Sequence, residues 1–369
     1  MGKISDLVRP NIKNLKPYSS ARDEYTGKIG VFLDANENSL GSVSEEKNNR
    51  YPDPYQYNVK NRLSEILEVK PKNMFLGNGS DEAIDLLIRI FCKPGQDEIL
   101  ILPPTYGMYK VAADINNIAV SEVPLDESFD LDVEKILEAV KPNTKIIFIC
   151  SPNNPTGNMM SYGRTKKIVE NFDGIVVVDE AYIDFSECEL NKRDIQNKGV
   201  DAYADPVTND SMLHFFETYP NLVVLRTFSK AWGMANIRLG MAFGNEELIQ
   251  YMNNVKPPYN VNGVSQEIAL EALKNLDKKN QMIEEIVDGR YAIRNSLGSL
   301  PFVEQIYPSD ANFIMVKFTD SAKVFQYLLD KKIIVRDRSS QPGCENCLRI
   351  TVGTKEENNK LINALTELI

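Results

Sequence analysis

The sequence contains a single histidine, and that scarcity excludes more chemistry than any other feature. Ser-His-Asp and Cys-His nucleophilic mechanisms, and metal sites built from several histidines, all need imidazole at the reacting centre. The one available, His214 in Met212-Leu-His-Phe-Phe-Glu217, reads as a structural residue of a helix. Acid-base work therefore falls to a lysine, a tyrosine or a carboxylate. Cysteine is also sparse: five, an odd number spread along a long chain, argue against a disulfide framework and fit a reducing compartment. Cys344 and Cys347 stand at metal or redox spacing, but without a second pair or a nearby histidine they read as loop residues, and no metal is expected. No stretch approaches the roughly 18 to 20 unbroken apolar residues of a spanning helix. The start, Met1-Gly-Lys-Ile-Ser-Asp-Leu7, lacks a secretory apolar core, so the cytoplasm is the expected location. Positive charge is in deficit as well. A net charge of −10, with no basic run interleaved with aromatics, leaves nothing to attract nucleic acid.

The chain is 369 residues long, 43% hydrophobic and 25% charged, which suits a large domain with a smaller companion. Its organising stretch is Val223-Val-Leu-Arg-Thr-Phe-Ser-Lys230, where a β-branched apolar run reads as a buried strand that breaks into a polar loop. Lys230 is the candidate catalytic residue. Ser229 and Arg238 beside it suit a bound anion, so an amine and an anion site stand together. A lysine amine condenses with a carbonyl, and pyridoxal phosphate brings both the carbonyl and the anion. Taken alone, a Ser-Lys pair is better explained as solvated surface charge; the weight comes from the rest of the chain.

The first thirty residues, broken by Arg9-Pro10 and Pro17-Tyr18, read as an arm ending in a short strand, Val31-Phe-Leu-Asp34. The two prolines of Asn49-Arg-Tyr-Pro-Asp-Pro54 predict a stiff loop carrying Tyr51. Leu76-Gly-Asn-Gly-Ser-Asp-Glu82 opens a helix with apolar residues at 84, 87, 88 and 91, and its glycine-flanked start is a ready phosphate cradle. Apolar strands and helical patterns then alternate. The strands are Ile99–Leu102, Ile146–Ile149, Ile175–Val178, Leu222–Leu225 and Met241–Phe243; helices are expected over Val133–Val140 and after Thr165. This alternation predicts an α/β fold with a mostly parallel sheet flanked by helices, in which ligands bind at the carboxyl ends of the strands.

The residues just past each strand are therefore the informative ones. Tyr106, Asn154, Asp179 with Tyr182, and Lys230 each come directly after such a run. A polar segment from Glu187 to about Ser211 interrupts the rhythm and reads as a surface excursion. A helical stretch over 265–297 leads to a smaller C-terminal α/β unit with strands at Asn312–Lys317, Ile333–Arg336 and Leu348–Val352. The expected divisions are 1–30 for the arm, packed with the small domain or a partner subunit, 31–264 for the large domain, 265–297 for the link and 298–369 for the small domain.

Gathered at one sheet edge, these residues divide the needs of a pyridoxal phosphate site among them. Asp179 would hold the ring nitrogen protonated; Asn154 and Tyr182 would bond the ring 3-oxygen; Tyr106 would stack on the ring face. Gly79, Ser80 and Asp81, with Ser229 and Arg238, would take the phosphate. As isolated letters, Asp179-Glu180 is better read as a strand-end acid pair and Asn154-Pro155 as a turn; the combination is what points to one ligand.

The chain resembles the fold-type I pyridoxal-phosphate aminotransferases nearly end to end, and within them the histidinol-phosphate aminotransferase family. The likeness is carried by Val8-Arg-Pro-Asn-Ile-Lys-Asn-Leu-Lys-Pro-Tyr18, Leu33-Asp-Ala-Asn-Glu-Asn38, Arg50-Tyr-Pro-Asp-Pro54, Gly77-Asn-Gly-Ser-Asp-Glu82, Pro104-Thr-Tyr-Gly-Met-Tyr109, Ser151-Pro-Asn-Asn-Pro-Thr-Gly157, Val178-Asp-Glu-Ala-Tyr182 and Leu348-Arg-Ile-Thr-Val-Gly353. It implies amino transfer between histidinol phosphate and 2-oxoglutarate, in a homodimer where Tyr51 reaches the cofactor phosphate of the neighbouring subunit. It also implies substrate contacts from Tyr18, Asn36, Arg336 and Arg349. Arg349 suits both halves of the reaction, because a guanidinium fork pairs with carboxylate or phosphate, and Arg336 adds a second charge. An aminotransferase for aromatic or other amino acids, and a decarboxylase of a phosphorylated amino acid, are the alternatives within related folds. The segment from Glu187 to about Ser211 is longer than the family's pattern there.

Overall fold

The computed structural model describes residues 3–18, 30–45, 48–186 and 211–368. Its larger sheet has seven strands: β1 (Met74–Asn78), β2 (Glu98–Ile101), β3 (Ala119–Glu122), β4 (Thr144–Cys150), β5 (Ile175–Asp179), β6 (Leu222–Thr227) and β7 (Leu239–Gly244), in the order β1-β7-β6-β5-β4-β2-β3. The run from β3 through β6 is parallel, and β7 is antiparallel to both β6 and β1. The mostly parallel sheet read from the sequence is present. The strands β1 and β3 lie outside that reading, β1 because its residues merge into the glycine-rich helix start.

The central strands are buried on both faces, which is why they read as unbroken Val/Ile runs. Ile147, Ile149, Val176, Val178, Leu222, Val224 and Phe243 point into one hydrophobic layer, and Ile146, Phe148, Ile175, Val177, Val223, Leu225 and Ala242 into the other. The helix Gly79–Phe91 lies on the second face and buries Ala83, Ile84, Leu87, Ile88 and Phe91 there. Its start is held by Glu82, whose carboxylate reaches back to accept the Asn78 N–H at 2.5 Å.

A second, antiparallel sheet has the order β10-β11-β9-β8, with β8 (Val303–Ile306), β9 (Phe313–Phe318), β10 (Arg336–Asp337) and β11 (Cys347–Thr351). The helices Leu276–Leu297, Ser321–Asp330 and Lys355–Thr366 cover it, through Ile293, Leu297, Val324, Leu328, Leu361 and Leu365. Hydrogen bonds tie it to the loops that leave the large sheet. The Asp310 N–H donates to Gly157 O at 2.7 Å, and buried Arg290 donates from Nη1 to Phe185 O at 3.2 Å and Ala311 O at 2.8 Å.

Several sequence expectations are corrected. Val31–Asp34 forms no strand; Val31 and Leu33 are 88% and 84% exposed, and no strand among the described residues offers them a ladder. Ile333–Val335 are not strand either, because the preceding helix ends with Lys332 at φ 60° and Ile333 N–H donating back to Leu328 O, which delays β10 to Arg336. The helical stretch over 265–297 is two helices, Gly263–Ala272 and Leu276–Leu297, parted by a turn at Leu273–Asn275. The helix expected after Thr165 starts earlier, at Tyr162, and His214 lies exposed in a 3-10 turn, Leu213–Glu217. Residues 4–13 of the arm form two one-turn helices, and Ile4 and Val8 bury into the helix layer of the large sheet. The segment singled out at Glu187–Ser211 lies outside the described residues except for Ser211. Cys344 and Cys347 are free thiols packed against Phe129 and Met315. Among the described residues there is no acidic, histidine or cysteine group that would hold a metal, and no helix long and apolar enough to cross a membrane.

Candidate active site

The parallel strands end along one edge, and the loops that leave them enclose a cleft of about 590 Å³, counting its open mouth. Gly79, Ser80, Asp81, Tyr106, Asn154, Asp179, Tyr182, Ser229, Lys230 and Arg238 all line it, as do Cys150, Ala181, Thr227 and Ala235.

One wall is the start of the helix Gly79–Phe91. Gly79 has φ +73°, its N–H donates to Arg238 O at 2.8 Å, and a Cβ there would stand 2.8 Å from the Arg238 guanidinium. Arg238 itself is in the left-handed region at φ 51°, a conformation a non-glycine residue adopts at a cost. The result is a guanidinium laid across a helix N-terminus, a doubly cationic place for an anion. Asp81 partly offsets that charge: its carboxylate accepts from Tyr106 Oη at 3.2 Å and from Arg238 Nη2 at 3.4 Å. Gly240 on β7 makes the cradle possible, since a Cβ there would fall 2.1 Å from the Ser80 nitrogen. Sequence reasoning passed over Gly240, although a glycine inside an apolar strand signals close backbone approach.

The floor is Asp179, the last residue of β5 and 3% exposed. Its Oδ2 accepts from Tyr109 Oη at 2.8 Å and its Oδ1 from the Ala181 N–H at 3.1 Å. Burial pushes the carboxyl up to about 6, against the pull of those two donors and of Lys230. Tyr109 was also missed as a site residue. Its ring stacks on Phe148 at 4.7 Å, so by pattern it is core, and only the fold turns its hydroxyl onto the acid.

Lys230 enters from the loop after β6, with Nζ 5.3 Å from the Tyr182 ring centroid. Burial, then the charges of Arg349 and Arg238, push its amine below the ordinary lysine value, with Asp179 and Asp81 opposing. The amine is therefore biased toward the neutral, nucleophilic form. Burial pushes the Tyr182 and Tyr106 phenols upward, so both stay protonated and able to donate.

The remaining predicted residues divide. Arg349, on β11, donates from Nη1 to Asn154 Oδ1 and lies 5.3 Å from the Phe313 ring, which brings the small sheet to the mouth of the cleft. Arg336 is its direct cross-strand partner. Tyr51 is not in the lining: it is half exposed, stacked on Tyr259 at 4.5 Å, with its N–H on Glu37. Tyr18 is 75% exposed, and Asn36 sits at φ 55° in an exposed turn; neither meets the cleft within this chain.

The donor set fits pyridoxal phosphate. An amine biased neutral, a buried carboxyl held by fixed donors and a glycine cradle crossed by an arginine occupy one cleft of suitable volume.

Comparison with known proteins agrees. The family model "Aminotransferase class I and II" matches residues 24–365. The histidinol-phosphate aminotransferase of Cytophaga hutchinsonii is 53% identical over 362 residues, 98% of each chain, and that of Parabacteroides distasonis 49% identical over 368 residues, 100% of this chain and 99% of the relative. In fold, the crystal structure of histidinol-phosphate aminotransferase from Sinorhizobium meliloti in complex with pyridoxal-5'-phosphate superposes with a TM-score of 0.74 at 21% identity, covering 98% of both chains. With a family model matching most of its length and relatives near half identity across all of it, the chain belongs to the class I and II aminotransferases, in the histidinol-phosphate aminotransferase family.

Proposed function

We propose that the chain transfers an amino group between L-histidinol phosphate and 2-oxoglutarate, giving imidazole acetol phosphate and glutamate, as a step of histidine biosynthesis. Pyridoxal 5'-phosphate is the cofactor. When bound, it supplies the carbonyl through which amino groups are exchanged and the electron sink for the pair left when a Cα proton departs. The observation that carries the reading is the joint placement of Lys230, Asp179 and Arg349: an amine and a buried acid in one cleft, and a guanidinium fork that reaches it at Asn154.

Each residue then has a task. Lys230, as a free amine, takes the proton from the substrate carbon and returns it on the other side of the exchange. Asp179 holds the proton of the ring nitrogen, with Tyr109 and Ala181 keeping the carboxylate aimed. The helix start at Gly79, Ser80 and Asp81, with Ser229 and Arg238, holds the cofactor phosphate; Asn154 and Tyr182 donate to the ring 3-oxygen, and Tyr106 covers one ring face. Arg349, joined by Arg336, takes the anion of either substrate, because histidinol phosphate carries CH2-phosphate where an amino acid carries carboxylate. Tyr18 and Asn36 contact the substrate, and Tyr51 acts across a homodimer interface on the partner's cofactor phosphate. That Tyr51 does not line the cleft of its own chain supports that assignment. The working unit is a cytoplasmic homodimer, each chain divided into a large cofactor domain over 31–264 and a small domain over 298–369.

Half-reactions of the yellow holoenzyme test the reading. Histidinol phosphate bleaches the cofactor absorbance stoichiometrically without releasing carbon dioxide, and 2-oxoglutarate restores it. Faster bleaching by phenylalanine makes the protein an aromatic aminotransferase; carbon dioxide release from threonine phosphate makes it a decarboxylase.

A further inference from the structure

Beyond Arg336 and Arg349, a third arginine stands on the same face of the small sheet. Arg336 faces Arg349 directly in the β10–β11 register. Arg338 continues that ladder, its N–H donating to Cys347 O at 2.9 Å, so strand alternation brings it to the side shared by Arg336 and Arg349. Like charges placed opposite each other weaken a ladder. This hairpin carries such a pair and adds a third guanidinium, and neither of its own acids, Asp337 and Glu345, makes a salt bridge to them among the described residues. Among the described residues the side-chain hydrogen bond these arginines make goes to the neutral Asn154 oxygen. The adjacent acid, Asp337, is turned to Ser339, accepting its N–H at 2.8 Å and its hydroxyl at 2.6 Å.

Arg338 Nε is out of solvent contact and has no acceptor among the described residues, an unmet donor that calls for an explanation. Its strand neighbour Arg349 reaches the cleft, donating to Asn154 in the cleft wall. Burial, with the charges of Arg349 and Arg336, pushes Arg338 down to about 10, which leaves it protonated at neutral pH.

We propose that Arg338 is a third anion-binding residue of the substrate pocket and sets its preference for a phosphate monoester over a carboxylate. The inference rests on the transamination reading. A carboxylate carries one charge and two oxygens, which a single guanidinium fork satisfies. A phosphate monoester carries a charge of about −1.5 to −2 and three acceptor oxygens, and is matched by several forks. Three guanidiniums on one strand face are costly to hold beside a carboxylate and are compensated beside a phosphate. Arginine suits the position better than lysine, because its fork is planar and fixed.

The test uses wild-type, Arg338→Gln and Arg338→Lys holoenzymes. Single-turnover half-reactions with L-histidinol phosphate and with L-glutamate are compared, and calorimetry measures the affinity of each holoenzyme for inorganic phosphate. The glutamine variant is expected to lose roughly ten-fold or more in specificity constant for histidinol phosphate, the worth of a charged hydrogen bond, and much less for glutamate. Phosphate affinity falls in parallel, and the lysine variant recovers part of both. Equal losses on the two substrates, or an unaltered phosphate affinity, overturn the proposal. If the wild type converts neither substrate, the transamination reading fails on its own, while the calorimetric comparison still decides whether Arg338 binds phosphate.

Discussion

The Tyr109 hydroxyl donates a 2.8 Å hydrogen bond to Asp179 Oδ2, joining the two side chains beneath the cleft where Tyr109 is fully buried and Asp179 nearly so. The bond favours the ionised acid against a burial that opposes it. Tyr109→Phe keeps the stack on Phe148 and removes only the donor. Loss of that bond to a buried carboxylate is worth about 1.5 to 3 kcal/mol, so cofactor affinity falls roughly ten-fold or more. Titration of the cofactor-free variant, followed by absorbance, checks this; an affinity equal to wild type leaves Tyr109 a packing residue.

Asp179 carries a stability cost with a definite pH signature. Its carboxyl is raised to about 6 in the fold, chiefly by burial. A carboxyl raised above its unfolded value of about 3.9 favours the folded state while protonated, so the cost is absent below about pH 4 and complete above about pH 6. Cofactor-free Asp179→Asn is therefore more stable than the cofactor-free wild type at pH 8, by about 2 kcal/mol once an amide's poorer match to two donors is allowed for. Its advantage disappears between pH 6 and 4, while its cofactor affinity is lower throughout. Thermal melts across that range test the sign; an advantage independent of pH refutes burial as its source.

Lys230→Ala abolishes turnover and retains bound cofactor, because Asp179, Arg238 and the helix start remain. Mixed with Tyr51→Phe chains, it forms heterodimers in which one site carries both defects and the other neither. Activity then exceeds that of either parent, up to one intact site per heterodimer. Verified heterodimers without such rescue, alongside impaired cofactor binding in Tyr51→Phe, return Tyr51 to its own subunit.

Glu180, the neighbour of Asp179, serves the scaffold instead. Its buried carboxylate accepts from Arg226 Nε and Nη2 at 3.1 and 2.9 Å, from Ser211 Oγ at 2.8 Å and from the Met212 N–H at 2.6 Å. Arg226→Met strands that charge and costs about 3 to 5 kcal/mol of stability. Glu180→Gln added to it recovers part of the loss. Urea midpoints measure both; a single mutant within 1 kcal/mol of wild type, on the scale of a surface pair, contradicts the network.

The sequence by itself determined the strands that cannot be anything else and the residues that come after them. Val/Ile runs such as Ile146–Ile149 and Ile175–Val178 are apolar on both faces, which suits only a strand buried on both sides. Once such strands form a parallel sheet, Asn154, Asp179 and Lys230 must emerge at one edge, and they do. Where burial did not dictate structure, pattern misled. Val31–Asp34 has strand composition but no described neighbour to pair with, and Ile333–Val335 yields to the closing turn of a helix. The roles of Tyr109 and Gly240 were decided only in three dimensions, because a stacked core tyrosine and a strand glycine reveal their use only when distant segments meet them. The same holds for Arg338. Arg336 and Arg349 are candidates already by family resemblance, whereas Arg338 joins them only when pairing of β10 with β11 places Arg336 opposite Arg349 and Arg338 on the same side, with Asp337 turned to Ser339.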